Sequence, residues 1–144
     1  MAEASSVNGS KRARPISPHL QIYSPLINMV MSILHRITGG ALYFGTLLLA
    51  AWVISAAVGM PSFDYVNGLI AASPYGVPIG RIVLFGYTWA LVHHMLGGIR
   101  HLIWDTGRGF ALANVDLLCW GTIILSVAVT IAIWVLAWQI RGGI

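Results

Sequence analysis

Three long apolar intervals without Asp, Glu, Lys or Arg divide the chain, and each is close to the roughly 20 residues that a helix needs to cross a bilayer. The first lies between Arg36 and Asp64 and reads ITGGALYFGTLLLAAWVISAAVG. The second, IVLFGYTWALVHHMLGGI, lies between Arg81 and Arg100, and the third, LLCWGTIILSVAVTIAIWVLAWQI, between Asp116 and Arg141. Runs of this length fit helices, because a barrel strand needs only about 9–11 residues. They predict membrane spans at roughly 33–58, 79–104 and 115–139. Between the first two spans, MPSFDYVNGLIAASPYGVP carries Pro61, Asn67-Gly68, Pro74, Gly76 and Pro78, and reads as a turn-rich loop. TGRGFALAN, with Gly107, Gly109 and Asn114, joins the second span to the third. Residues 1–28 read as a polar N-terminal arm and 29–144 as one three-helix membrane anchor, with no internal repeat and no linker to a second domain.

Composition confirms the solvent. Of 144 residues, 58% are hydrophobic and 8% charged, with a mean hydropathy of +0.81; a soluble domain has about a quarter of its residues charged. The expected fold class is therefore an all-α membrane protein. A single cysteine, Cys119, excludes an internal disulfide and a cysteine-held cluster. The net charge of +4 does not point to nucleic acid, because the eight Lys and Arg residues flank apolar runs instead of forming a patch. Topology accounts for them, since cytoplasmic segments carry the basic excess. Lys11, Arg12, Arg14 and Arg36 precede or open span one, and Arg100 and Arg108 lie between spans two and three. The N-terminus is thus expected inside and the C-terminus outside. The polar head before Met29 is too long for a signal-peptide n-region and lacks the pattern of an organellar presequence, which favours a bacterial inner membrane over a mitochondrial one.

The polar residues inside the spans are the candidate chemistry. HHMLGGIRHLIWD, residues 93–105, places His94, Gly98, His101 and Asp105 on one helical stripe, with Gly97 at its edge. An imidazole flanked by glycine offers the clearance that a flat macrocycle needs, so His94 is a haem-ligand candidate. The competing reading is that the small residues serve close helix packing and the histidine bonds a neighbouring helix. His93 points about 100° away from His94 and reads more as a packing or hydrogen-bonding residue. Arg100, His101 and Asp105 lie near the inner surface, where interfacial anchoring is the alternative role. In SILHRITGG, Ser32, Arg36, Gly39 and Tyr43 share a second stripe, with His35 about a sixth of a turn aside. A hydroxyl and a guanidinium one turn apart can hold a carbonyl or phenolic oxygen, and the guanidinium keeps its charge throughout. Otherwise Arg36 is simply a topology anchor. His94 lies six residues from Arg100, about 9 Å along the helix, so both clusters belong to the inner half of the membrane. A second axial ligand would have to come from His35, His93 or a partner's helix.

Two motifs in order, Arg14-Pro15 followed by SILHRITG and then HMLGGIRHLIWD, resemble the cytochrome b subunits of succinate dehydrogenase, the larger membrane anchors of respiratory complex II. The segment RPISPHLQIY fits as well, and the likeness covers roughly residues 14–107. The resemblance implies that His94 ligates a b-type haem, that Ser32 and Arg36 help form a ubiquinone site, and that His35 lies near the haem propionates, with Arg36 shared between the two sites. Arg100, His101 and Asp105 fall on supporting positions. At position 93 the chain departs from the family, where an aromatic residue is common. The resemblance also implies a bundle with a second small anchor subunit, which would supply the other haem ligand. An iron-sulfur subunit and a flavoprotein with FAD would carry succinate oxidation, so this chain holds no catalytic residue for that step. The rivals are the anchor of a fumarate reductase and a haem-free structural or proton-relay subunit.

Overall fold

The computed structural model describes His19 and residues 22–140. The arm through Arg14-Pro15 and the C-terminal Arg141 lie outside the described residues. Among the described residues the chain is all helical. Helix α1 spans Ile27–Val58, α2 Met60–Ala71, α3 Ile79–Asp105 and α4 Leu112–Ile140, with a 3-10 turn at Pro74–Gly76 between α2 and α3. Helices α1, α3 and α4 are long and apolar enough to cross a membrane.

The helices outrun the charge-free intervals at several ends. Helix α1 starts at Ile27, after Pro25 and with extended Leu26 as its N-cap, and runs through Arg36 without a break. A charge near a helix end limits what the hydrocarbon accepts, yet the backbone hydrogen bonds are indifferent to it, and a long side chain can reach the interface. At the far end Gly59 has φ 137°, a conformation open to glycine, and its N–H bonds the Ser55 carbonyl. There the chain turns into α2.

Helix α2 replaces most of the expected turn-rich loop. Its punctuating residues are compatible with helix: Pro61 sits in the first turn, where its missing N–H costs nothing, and the Asn67 Oδ1 accepts a 3.0 Å bond from the Trp52 indole N–H of α1. Trp52 also meets Phe63, ring centroids 5.5 Å apart. Helix α2 therefore folds back against the end of α1. Its own C-terminal turn reaches α3, where the Ile70 carbonyl lies against Gly80.

Helix α3 packs against α1 on one side and α4 on the other, and α1 and α4 also touch. What is buried is mostly polar or small: Thr38, Ser55, His93, Arg100, Thr122, Ser126 and Thr130, beside Met31, Ala90, Val92 and Cys119. Large aliphatic and aromatic side chains face outward along all three long helices. In water this would be inverted. In hydrocarbon it is the expected economy, because apolar side chains gain nothing by leaving lipid, while small residues let backbones approach. The hydroxyls of Thr38, Thr122, Ser126 and Thr130 each bond a carbonyl of their own helix, so they enter the interior already satisfied.

Candidate functional site: paired imidazoles between α1 and α3

Helix α1 meets α3 along His35, Thr38, Gly39 and Gly45, which share one side of α1. On that seam His35 and His94 stack, centroids 4.0 Å apart and planes 16° from parallel. Each ring is bonded to the other helix's backbone. The His94 Nδ1–H donates to the His35 carbonyl at 3.1 Å, and the His35 Nε2–H donates to the His94 carbonyl at 3.3 Å. A carbonyl only accepts, so these contacts set both neutral tautomers: Nδ1 carries the proton in His94 and its Nε2 keeps a lone pair. The Thr38 hydroxyl, 3.4 Å from the same Nδ1, is committed as donor to the carbonyls of Leu34 and His35 and can accept a share of that proton.

Glycines make the interlock possible. A Cβ at Gly97 would run into the His35 ring, and one at Gly39 would lie 2.9 Å from His94 Cε1. Each helix thus inserts a histidine over a glycine of the other. Replacing Gly97 with alanine forces the His35 ring out of its seat, and the loss of stability expected from such overpacking is about 1–3 kcal/mol. Gly68→Ala in α2, where an added Cβ meets nothing within 4 Å, is expected to be neutral or slightly stabilising. Thermal unfolding in detergent, followed by tryptophan fluorescence, compares the two.

Gly98, the other glycine beside His94, has nothing within 4 Å of an added Cβ, and neither does Gly86 about two turns before the histidine pair. The two adjacent glycines of the motif therefore differ: Gly97 is filled by a packing contact, whereas Gly98 leaves open surface next to His94, itself half-buried.

His101, exposed on the same stripe, stands edge-on to His35 at 5.2 Å. Three imidazoles are therefore brought together. Gly39, under His94, is one turn from Arg36 and two from Ser32 on the same stripe of α1, with Arg36 exposed and Ser32 half-buried. Asp105 is exposed at the end of α3.

Two residues turn the other way. His93 is fully buried against α4, its Nδ1 3.1 Å from Ser126 Oγ. Since the Ser126 hydroxyl donates to the Ile123 carbonyl, His93 is the donor in that pair, and its Nε2 has no partner among the described residues. Arg100, only 2% exposed, reaches α4 with a 3.7 Å contact from Nη1 to Cys119 Sγ and lies 5.1 Å from the Trp104 ring centre. It is not part of the imidazole group.

Sequence spacing places residues on one helix and is silent about which helix lies opposite. The reciprocal contact left one signal: both helices carry a histidine followed about one turn later by glycine, His35 by Gly39 and His94 by Gly97. The Thr38 contact gave no comparable sign.

The fold and site define a three-span membrane protein whose buried residues are mostly polar or small and in which three histidines cluster between two spans. The chain belongs to the family described as succinate dehydrogenase/fumarate reductase transmembrane subunit, which it matches over residues 10–137. It is 42% identical over 122 residues to the succinate dehydrogenase cytochrome b556 subunit of Rickettsia bellii, covering 85% of this chain and 91% of that one. The subunit of the same name from Paracoccus denitrificans is 34% identical over 126 residues, 85% and 93% of the two chains. The mitochondrial cytochrome b560 subunit of Sus scrofa is 38% identical over 99 residues, 69% of this chain and 57% of that one.

Proposed function

We propose that this chain is the haem-binding membrane anchor of a bacterial succinate:quinone oxidoreductase, and that it forms the quinone-reduction site with its partner subunits. The observation that carries this is the state of His94. Its Nδ1–H is held by a backbone carbonyl, which fixes the ring and leaves the Nε2 lone pair for iron, the arrangement in which a ligating histidine is normally oriented by its other nitrogen. His94 is half-buried beside open Gly98, whereas His93 points into α4 with its Nε2 enclosed. These residues fit a b-type haem on His94, with His35 and Arg36 toward its propionates. When bound, the haem supplies a one-electron store next to the quinone.

His35 stacks on the His94 ring and spends its Nε2–H on the His94 carbonyl, so it would not also hold the iron. That favours a histidine from the second small anchor subunit. Quinone reduction takes two electrons and two protons. In this reading the electrons arrive from an iron-sulfur subunit docked on the cytoplasmic face, and the FAD-bearing flavoprotein beyond it oxidises succinate. Arg36 holds a quinone carbonyl and stabilises the negative charge that develops on its oxygen, and it cannot itself give up a proton. The Ser32 hydroxyl can both donate to that oxygen and pass on a proton. His101 and Asp105, exposed toward the end of α3 that follows the His94 stripe, are placed to exchange protons with the inner surface, the N-terminus being inside as the distribution of Lys and Arg suggests.

The assembled complex is expected to show the sharp reduced-minus-oxidised bands of a low-spin b-type haem. A colourless complex containing all its subunits would overturn the haem assignment.

A further inference from the structure

The face of α3 that meets α4, which His93 shares, carries a charge without a partner anion among the described residues. Arg100 is 2% exposed, its Nε has no hydrogen-bond partner among the described residues, and its one polar contact is the weak acceptor Cys119 Sγ. No described carboxylate bonds it: Asp105 and Asp116, the nearest acids in sequence, are both exposed. A guanidinium keeps its proton, so burial cannot neutralise it, and an unpaired cation in a membrane interior is unfavourable by several kcal/mol. The Trp104 ring, 5.1 Å from the guanidinium carbon, offsets part of that cost, and an anion would offset the rest.

The surroundings specify what kind. Arg100 lines a groove between α3 and α4 whose other walls are mostly aliphatic, from Leu96 and Ile99 on α3 to Leu118, Gly121 and Leu125 on α4, with Thr122 the one other polar side chain and its hydroxyl already bonded to the Leu118 carbonyl. Gly121 lines it without a side chain, and a Cβ there would meet nothing within 4 Å. Arg100 lies five residues, about 7.5 Å, from the end of α3, and exposed Arg108 follows in the short connection to α4. The groove therefore has a cation near one membrane surface and an apolar channel leading from it toward the bilayer centre. A phosphodiester head with an attached hydrocarbon chain matches both halves, whereas a free anion would match only the first.

We propose that this groove binds one anionic phospholipid, its phosphate against Arg100 and an acyl chain lying over Gly121 between Leu96, Ile99, Leu118 and Leu125. The site is independent of the haem assignment, because it uses the other face of α3. Arg100 then helps seat the α3–α4 pair through a lipid that belongs to the structure.

The test uses the whole membrane complex, stripped of loose lipid in detergent, supplied with phosphatidylglycerol or phosphatidylcholine and weighed by native mass spectrometry. Wild-type complex is expected to retain one more phosphatidylglycerol than a complex carrying Gly121→Phe, whose ring fills the groove, and to show no such difference with phosphatidylcholine. Arg100→Gln is expected to lower that retention by about tenfold, the effect of losing one charge-assisted contact. Should Arg100→Gln fail to assemble, Gly121→Phe carries the test alone, since it leaves the arginine in place. Equal retention of the two lipids, retention unchanged in Gly121→Phe, or no lipid retained by the wild type would each overturn the proposal. The last result is what a carboxylate from another subunit seated on Arg100 would give.

Discussion

A complex carrying His94→Ala is expected to lose its b-type absorbance, with haem per complex reduced by more than about tenfold, since altering even an outer partner of a metal-ligating histidine weakens binding 10–100-fold. His93→Ala is expected to keep the haem. The contrast follows from where the two neighbours point. Both present a proton on Nδ1 and a lone pair on Nε2, but His94 Nδ1 is tied to the His35 carbonyl with its ring beside open Gly98. The His93 Nε2 is enclosed between α3 and α4, and its Nδ1 is spent on Ser126. Deleting His93 removes one interhelical hydrogen bond, worth about 1 kcal/mol in a membrane protein, and should appear as a lower unfolding temperature with an intact spectrum. The measurement is the pyridine haemochrome content of each purified variant together with its reduced-minus-oxidised spectrum. Haem retained by His94→Ala and lost from His93→Ala would exchange the two assignments.

Arg36→Leu is the second large effect. Removing a cationic donor from a developing oxyanion typically slows the step by about 10²–10³-fold, so succinate-dependent quinone reduction should fall by about that factor. Electron transfer from succinate to an artificial dye, which the soluble subunits perform without the quinone, should be unchanged. Ser32→Ala should cost less, about tenfold, because it removes a single neutral hydrogen bond. Arg36→Lys keeps the charge but not the planar fork and should fall between. The pair of assays separates a quinone site from a mere topology anchor: if Arg36→Leu leaves quinone reduction intact in an assembled complex, Ser32 and Arg36 do not form the site.

Much of the architecture was legible from charge-free intervals alone, because the length of hydrocarbon to be crossed is a fixed physical quantity. The three long helices follow from it. Helix α2 was not legible, since Pro61 and Asn67-Gly68 are turn signals in isolation and helix-compatible residues in context. Pairing with Trp52 on α1 decided the matter. The face shared by Ser32, Arg36 and Gly39, and that shared by His94, Gly98 and His101, could be read from periodicity. Their juxtaposition could not, nor could the turning of Arg100 toward Cys119, because both depend on which helix lies across the seam.

The crossed bonds of His35 and His94 have a mechanical meaning. Sliding α1 along α3 by one residue, about 1.5 Å, would pull both ring nitrogens off their carbonyls at once and shift each imidazole off the glycine, Gly97 or Gly39, that receives it. The two spans are thus keyed like the teeth of a lock, and a nascent chain that inserts them out of step has no half-correct alignment in which to rest.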